Sequence, residues 1–290
     1  MRVYRIYSGL SQVASEIVFK TAYLFVGWML LASSTLAQPD HLETVAPLWR
    51  AHAHNDYEQA RPLLDALDRG IGSVEVDIHL VNGALLVAHD LDEVKEGQTL
   101  ERLYLNPLRE RIRANDGEVY AESGTLVLLI DVKSDAEATY EVLRNVLATY
   151  HDILTRFEGE TIEEGPVMAI ISGNRARDMM LEEEVRWAAY DGRLEDLGQS
   201  PVLPVAFMPL ISSNWMQIAR WYGQGTFSDA SKKKLADAVA KTHGEGRKLR
   251  FWATSDNHRV WEVLYEAGVD YLNADDLSSV QTFLHKKMDE

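Results

Sequence analysis

No cysteine occurs anywhere in the 290 residues. Disulfides, thiolate metal sites and a cysteine nucleophile are therefore excluded, and stability has to come from the core. With 46% hydrophobic residues, a chain of this length can bury a large core, as one large α/β domain or two smaller ones. Basic residues are scarce as well: 29 Lys and Arg stand against 45 Asp and Glu, a net charge of −16. That balance argues against nucleic acid or an anionic bilayer as the main partner, while leaving room for a local basic pocket.

An apolar run long enough to be an unambiguous membrane span is also missing. Residues 22–37 fall a little short of the roughly 20 residues a spanning helix needs, and Ser33, Ser34 and Thr35 interrupt them. Following Arg2, Arg5 and Lys20, this stretch reads as an export signal cut near Ala37 and Gln38, with small residues at the cleavage site. The mature domain would then be residues 38–290, in a periplasmic or extracellular space. A retained membrane anchor over residues 21–37 is the alternative.

What the sequence does hold is a set of short apolar segments ending in polar residues. Strands are expected near residues 48–51, 73–81, 84–88, 125–133, 166–172, 187–190, 249–254 and 269–273, most of them followed by a helical pattern. Asn82-Gly83 marks a tight turn. Residues 193–229, with Pro201, Pro204 and Pro209, read as an elaborated loop with short helices. Eight strands alternating with helices fit a single-domain (β/α)8 TIM barrel. His52, Glu75, Asp77, His89, Asp131, Ser172 and Thr254 then fall at the carboxyl ends of strands, the catalytic face of such a barrel.

The residue types there suggest a reaction. Residues two apart on a strand share a face, so Glu75 and Asp77 stand together and Val74, Val76 and Ile78 face the other way. Asp131 adds a carboxylate from another strand, and three carboxylates suit one Mg²⁺ or Ca²⁺ ion better than zinc. His52 and His89 can flank the ion as a base and acid pair near neutral pH. Lys133, two residues after Asp131, either binds an anionic substrate oxygen or forms a salt bridge with a carboxylate. His54 shares the parity of His52 and either touches substrate or holds its loop. Trp252 points into the barrel mouth or into the helix layer, with packing favoured by residue type.

In combination, His52 with Asn55, Glu75-x-Asp77, His89-Asp90, Asp131-x-Lys133, Phe251-Trp-Ala-Thr and Gly268 to Asp276 resemble the phospholipase C-like phosphodiesterase superfamily. The chain is most similar to the glycerophosphodiester phosphodiesterase group and to a branch bearing a His-x-His-Asn-Asp-Tyr motif. The likeness covers about residues 48–286. It implies a barrel fold, one divalent cation on Glu75, Asp77 and Asp131, and catalytic histidines at His52 and His89. It also implies hydrolysis of glycerophosphodiesters or related phospholipid headgroups by attack on phosphorus, with His54, Asn55, Lys133 and Trp252 as candidate substrate contacts.

Two departures bear on the substrate. The His-Arg-Gly of glycerophosphodiesterases is His52-Ala53-His54 here, and the third carboxylate is Asp131 where Glu is common. Lys133 and His54 would then supply the positive groups facing phosphate. Two competing readings are a two-zinc amidohydrolase, which needs further histidines from middle strands, and a non-catalytic exported protein that binds a phosphoryl ligand on the same barrel.

Overall fold

A computed structural model describes residues 45–290. The proposed leader at residues 1–37 lies outside them. Eight parallel strands form the barrel wall: β1 (Leu48–Ala53), β2 (Ile71–Val81), β3 (Leu126–Val132), β4 (Val167–Gly173), β5 (Ala189–Gly192), β6 (Leu210–Asn214), β7 (Lys248–Trp252) and β8 (Leu272–Ala274). They pair in chain order from β1 to β7, and β8 lies against β1. A parallel bridge between Arg250 and Tyr271 brings β7 to β8 and closes the ring. The expected (β/α)8 architecture is therefore present.

One expected strand lies outside the wall, and one wall strand lies where a loop is expected. Residues 84–88 were expected as a barrel strand, but Ala84–Val87 folds back antiparallel on β2 through the Asn82-Gly83 turn, outside the wall. The missing wall strand is β6, inside the stretch expected to be an elaborated loop at residues 193–229. Its sequence, Leu-Ile-Ser-Ser-Asn after Pro209, carries only two apolar residues. Ser212 and Ser213 are nevertheless fully buried, Ser212 on the inward face shared with Leu210 and Ser213 on the other face, where its Oγ accepts from the Leu194 N–H (3.1 Å).

Alternation along the strands separates two apolar layers. Val74, Val76, Ile78, Leu126, Leu128 and Ile130 face outward into the large cluster under the helices. Val127, Leu129, Ile170, Ala189, Leu210 and Tyr271 face inward and fill the floor of the barrel. Above that floor the inward positions turn polar, with Glu75, Asp77, Asp131, Ser172, Asp191 and Arg250. Among the described residues no helix is long and apolar enough to cross a membrane.

Beyond β1, Asn55 takes a left-handed backbone conformation (φ 46°), which asparagine tolerates better than most residues. The chain then turns so that Asp56 points inward and Tyr57 reaches the mouth. The Asp56 carboxylate is fully buried and accepts from the Leu63 N–H (2.5 Å) and the Tyr104 hydroxyl (2.9 Å). Burial pushes its carboxyl up to about 6, against the effect of these two donors. Because the folded form holds the proton more tightly than the unfolded chain, Asp56 contributes less stability as pH rises from about 4 through 6. Asp56→Asn keeps an acceptor oxygen and lacks that loss. The variant should therefore gain about 3 kcal/mol relative to wild type between pH 4 and 7, measured by urea unfolding at several pH values.

Candidate active site

The carboxylates of Glu75, Asp77 and Asp131 converge at the mouth, each offering an oxygen within 4.8 Å of the other two. The pairing of β2 with β3 sets Asp77 directly beside Asp131. Gly173 at the end of β4 has φ 68°, and a Cβ there would lie 2.2 Å from Asp131 Oδ1, so glycine leaves that carboxylate its room.

Fixed donors occupy one oxygen of each carboxylate. Glu75 Oε2 accepts from His52 Nε2 (3.0 Å) and from the guanidinium of Arg250. Asp77 Oδ2 accepts from Lys133 Nζ (3.0 Å), the Tyr57 hydroxyl (2.8 Å) and His89 Nδ1 (3.0 Å). Asp131 Oδ1 faces Lys133 Nζ at 3.2 Å. Asp77 Oδ1 is buried and has no partner. Burial would raise the Glu75 carboxyl, but Arg250 and His52 outweigh it and hold the group well below the usual range. Asp131 goes the other way. Burial first, and then the charges of Glu75 and Asp77, push it up to about 6 although Lys133 opposes them. An orphaned buried oxygen and a carboxyl crowded by two others are what a hard cation would relieve, so the residues fit a divalent metal ion.

The histidines separate by depth. His52, expected as a catalytic group, is 1% exposed, with Nδ1 on Ser73 Oγ (2.7 Å) and Nε2 on Glu75. Burial, followed by the charge of Arg250, pushes it down to about 3, so it stays neutral. With both nitrogens engaged beneath the carboxylates, His52 props Glu75 and has no nitrogen left for substrate. His54, two residues further along the same face, reaches the mouth. Its Nδ1 meets Asp275 Oδ1 at 2.7 Å, leaving Nε2 without a protein partner. Burial lowers its pKa, but the hydrogen bond to Asp275 and the charge of Glu75 outweigh it and raise the group overall.

His89 stands just past the hairpin arm, on the other side of Asp77. Its ring is half exposed, with Nδ1 on Asp77 and Nε2 open. His79, two residues beyond Asp77 on β2, meets the His89 carbonyl through Nε2 (3.1 Å). Of the two roles expected for Lys133, the geometry realises the salt bridge, and to two carboxylates at once. Trp252 ends β7 and is exposed at the mouth rather than packed. Asn55 serves the turn described above.

Arg250, Asp275, Tyr57 and Ser73 belong to the site without having been singled out from the sequence. Arg250 carried a usable signal, since it precedes Trp252 by two and so shares its inward parity. Asp275 follows β8 and is fixed by its backbone N–H, which donates to Asp256 Oδ2 (2.9 Å).

Three carboxylates flanked by imidazoles thus stand at the carboxyl end of a parallel barrel, the face on which such barrels carry their active sites. Residues 40–191, just over half of the chain, match the AIM6-like phosphodiesterase domain, and the chain belongs to that family. Among its relatives is altered inheritance of mitochondria protein 6 of Eremothecium gossypii, 29% identical over 282 residues that cover 82% of this chain and 70% of that one. The homolog of Arthroderma benhamiae is 27% identical, covering 80% of this chain and 82% of its own. A Ca²⁺-dependent phosphatidylinositol-specific phospholipase C from Streptomyces antibioticus shares the fold. It aligns over 81% of this chain and 95% of its own with a TM-score of 0.54 and 12% identity.

Replacing Arg250 by Met strands the Glu75 charge inside the barrel with only His52 against it. Removing one partner of a buried ion pair typically costs about 3–5 kcal/mol. Arg250→Met should lose that much unfolding free energy in chemical denaturation, whereas a loss under 1 kcal/mol would mean Glu75 is not held by this pair.

Proposed function

We propose that the chain hydrolyses a phosphodiester with the aid of one divalent cation, with His54 and His89 exchanging protons with the substrate. The observation carrying this reading is that three carboxylates each keep one oxygen free of protein donors, while an imidazole on either side of them keeps one nitrogen free. Bound between Glu75, Asp77 and Asp131, the cation would neutralise charge on the phosphoryl oxygens. His54 Nε2 takes a proton from the attacking water as its oxygen bonds to phosphorus. Asp275, hydrogen-bonded to Nδ1, orients that ring and stabilises its protonated form. His89 Nε2 gives a proton to the departing alcohol oxygen while its Nδ1 is anchored on Asp77.

His52 thus moves from a proton-transfer role to a positioning one. The substrate class proposed is glycerophosphodiesters or related phospholipid headgroups, on the strength of the motif resemblance. A cavity of about 620 Å³ beside His89, lined by Tyr57, Glu58, Asp92, Lys95 and Leu103, gives a leaving group room. The amidohydrolase alternative finds no support in the middle strands. Ser172 and Asp191 face inward where a second zinc would want histidine.

Proton transfer by a positioned side chain typically contributes about 10²–10⁴-fold. His54→Ala and His89→Ala should each lower kcat for glycerophosphodiester hydrolysis by that factor while leaving the thermal unfolding midpoint within a few degrees of wild type. Chelator should abolish activity, and added Mg²⁺ or Ca²⁺ should restore it. Wild-type rates in the His54 variant would place the base elsewhere.

A further inference from the structure

We infer that Lys133 and Arg250 make this site select Mg²⁺ over Ca²⁺, by holding each of the three carboxylates to a single free oxygen. The inference rests on the metal-dependent reading above and adds to it the identity of the ion. It starts from the oxygen count. Glu75 Oε2 is taken by Arg250 and His52, Asp77 Oδ2 by Lys133, Tyr57 and His89, and Asp131 Oδ1 by Lys133. Two of the donors are permanent cations. Arg250 is itself buried and further tied to Asn273 Oδ1 (2.8 Å), so it does not swing away at little cost. Asp77 is fully buried with Oδ1 unpartnered, and one oxygen from each of the three carboxylates lies within 4.8 Å of the others.

The consequence follows from what each ion requires. Ca²⁺ takes six to eight oxygens at long, flexible distances and commonly uses carboxylates through both oxygens. Mg²⁺ takes six in a near-octahedral shell, uses carboxylates through one oxygen each, and keeps several waters or substrate oxygens. Three carboxylates held to one oxygen apiece serve the second ion fully. For the first ion they leave a shell short of protein oxygens, and filling it through a second carboxylate oxygen brings the ion up against the ammonium of Lys133 or the guanidinium of Arg250.

Calorimetric titration of the purified chain with MgCl₂ and with CaCl₂, followed in parallel by the thermal midpoint, reads this without any substrate. The wild-type chain should bind Mg²⁺ more tightly than Ca²⁺. In Lys133→Met, which frees both oxygens of Asp131 and relieves Asp77 of one donor, the Ca²⁺-to-Mg²⁺ affinity ratio should rise at least tenfold. Tighter Ca²⁺ binding by wild type, which needs no variant to fold, would overturn the inference and leave the metal-dependent reading standing. An unchanged ratio in a folded Lys133→Met would overturn it too. Binding of neither ion by wild type would overturn the metal-dependent reading itself, and the selectivity with it.

Discussion

Three carboxylates from two adjacent strands converge within 4.8 Å of one another inside a barrel whose floor is apolar. In that setting their mutual repulsion and their desolvation both oppose folding. The rest of the mouth is arranged around that conflict. Arg250 comes from β7 to meet Glu75, Lys133 from the end of β3 to bridge Asp77 and Asp131, and His52 from β1 to prop Glu75 from below. None of these groups is next to its partner in sequence except Lys133. The His52 and Lys133 contacts join neighbouring strands, whereas the Arg250 contact exists only once β7 has come round to face β2, so the largest counter-charge on Glu75 waits on closure of the barrel.

That dependence also decides which imidazoles are available. His52 lies on β1 and His54 just past its end, two positions or about 7 Å further along the chain. The lower is spent on holding Glu75 in place, and the upper is left to face solvent with Asp275 behind it. Sequence parity recognises the shared face but not the depth, and depth is set by where β1 sits in register with β8, His52 against Asn273. The barrel itself was legible because most of its wall strands are runs of apolar residues ending in polar ones. β6 was not. A strand buried on both sides normally reads as an apolar run, yet Ser212 and Ser213 are polar and fully buried, one on each face.

The carboxylate trio was equally legible, since Glu75-x-Asp77 and Asp131 interrupt strands where acids are unfavourable unless compensated. Its counter-charges were not. Arg250 breaks an apolar strand in the same way as the acids do, but a single inward arginine has no meaning until the strand across the barrel is known. Lys133 was read with two possible roles because spacing puts it on the face of Asp131 and says nothing about how far its ammonium reaches.

A last consequence concerns the arginine missing from the first strand. The positive charge of Arg250 on β7 does not replace it in function, because its guanidinium is buried against Glu75 and Asn273. Lys133 is committed to two carboxylates. Arg193, which faces the mouth from the end of β5, is paired with Asp191 Oδ2 (2.7 Å) and leans on Ser172 Oγ (3.3 Å). Each of these three cations is already neutralised by an acid of the chain, so none offers an anion an uncompensated charge. On the proposed reading, an anionic phosphodiester arriving at this mouth would find its attraction chiefly in a cation held by the three carboxylates, with hydrogen bonds from His54 and His89. In the proposed mechanism, substrate affinity as well as turnover is then tied to the ion, because the protein's own positive charge is used to hold the ion's ligands.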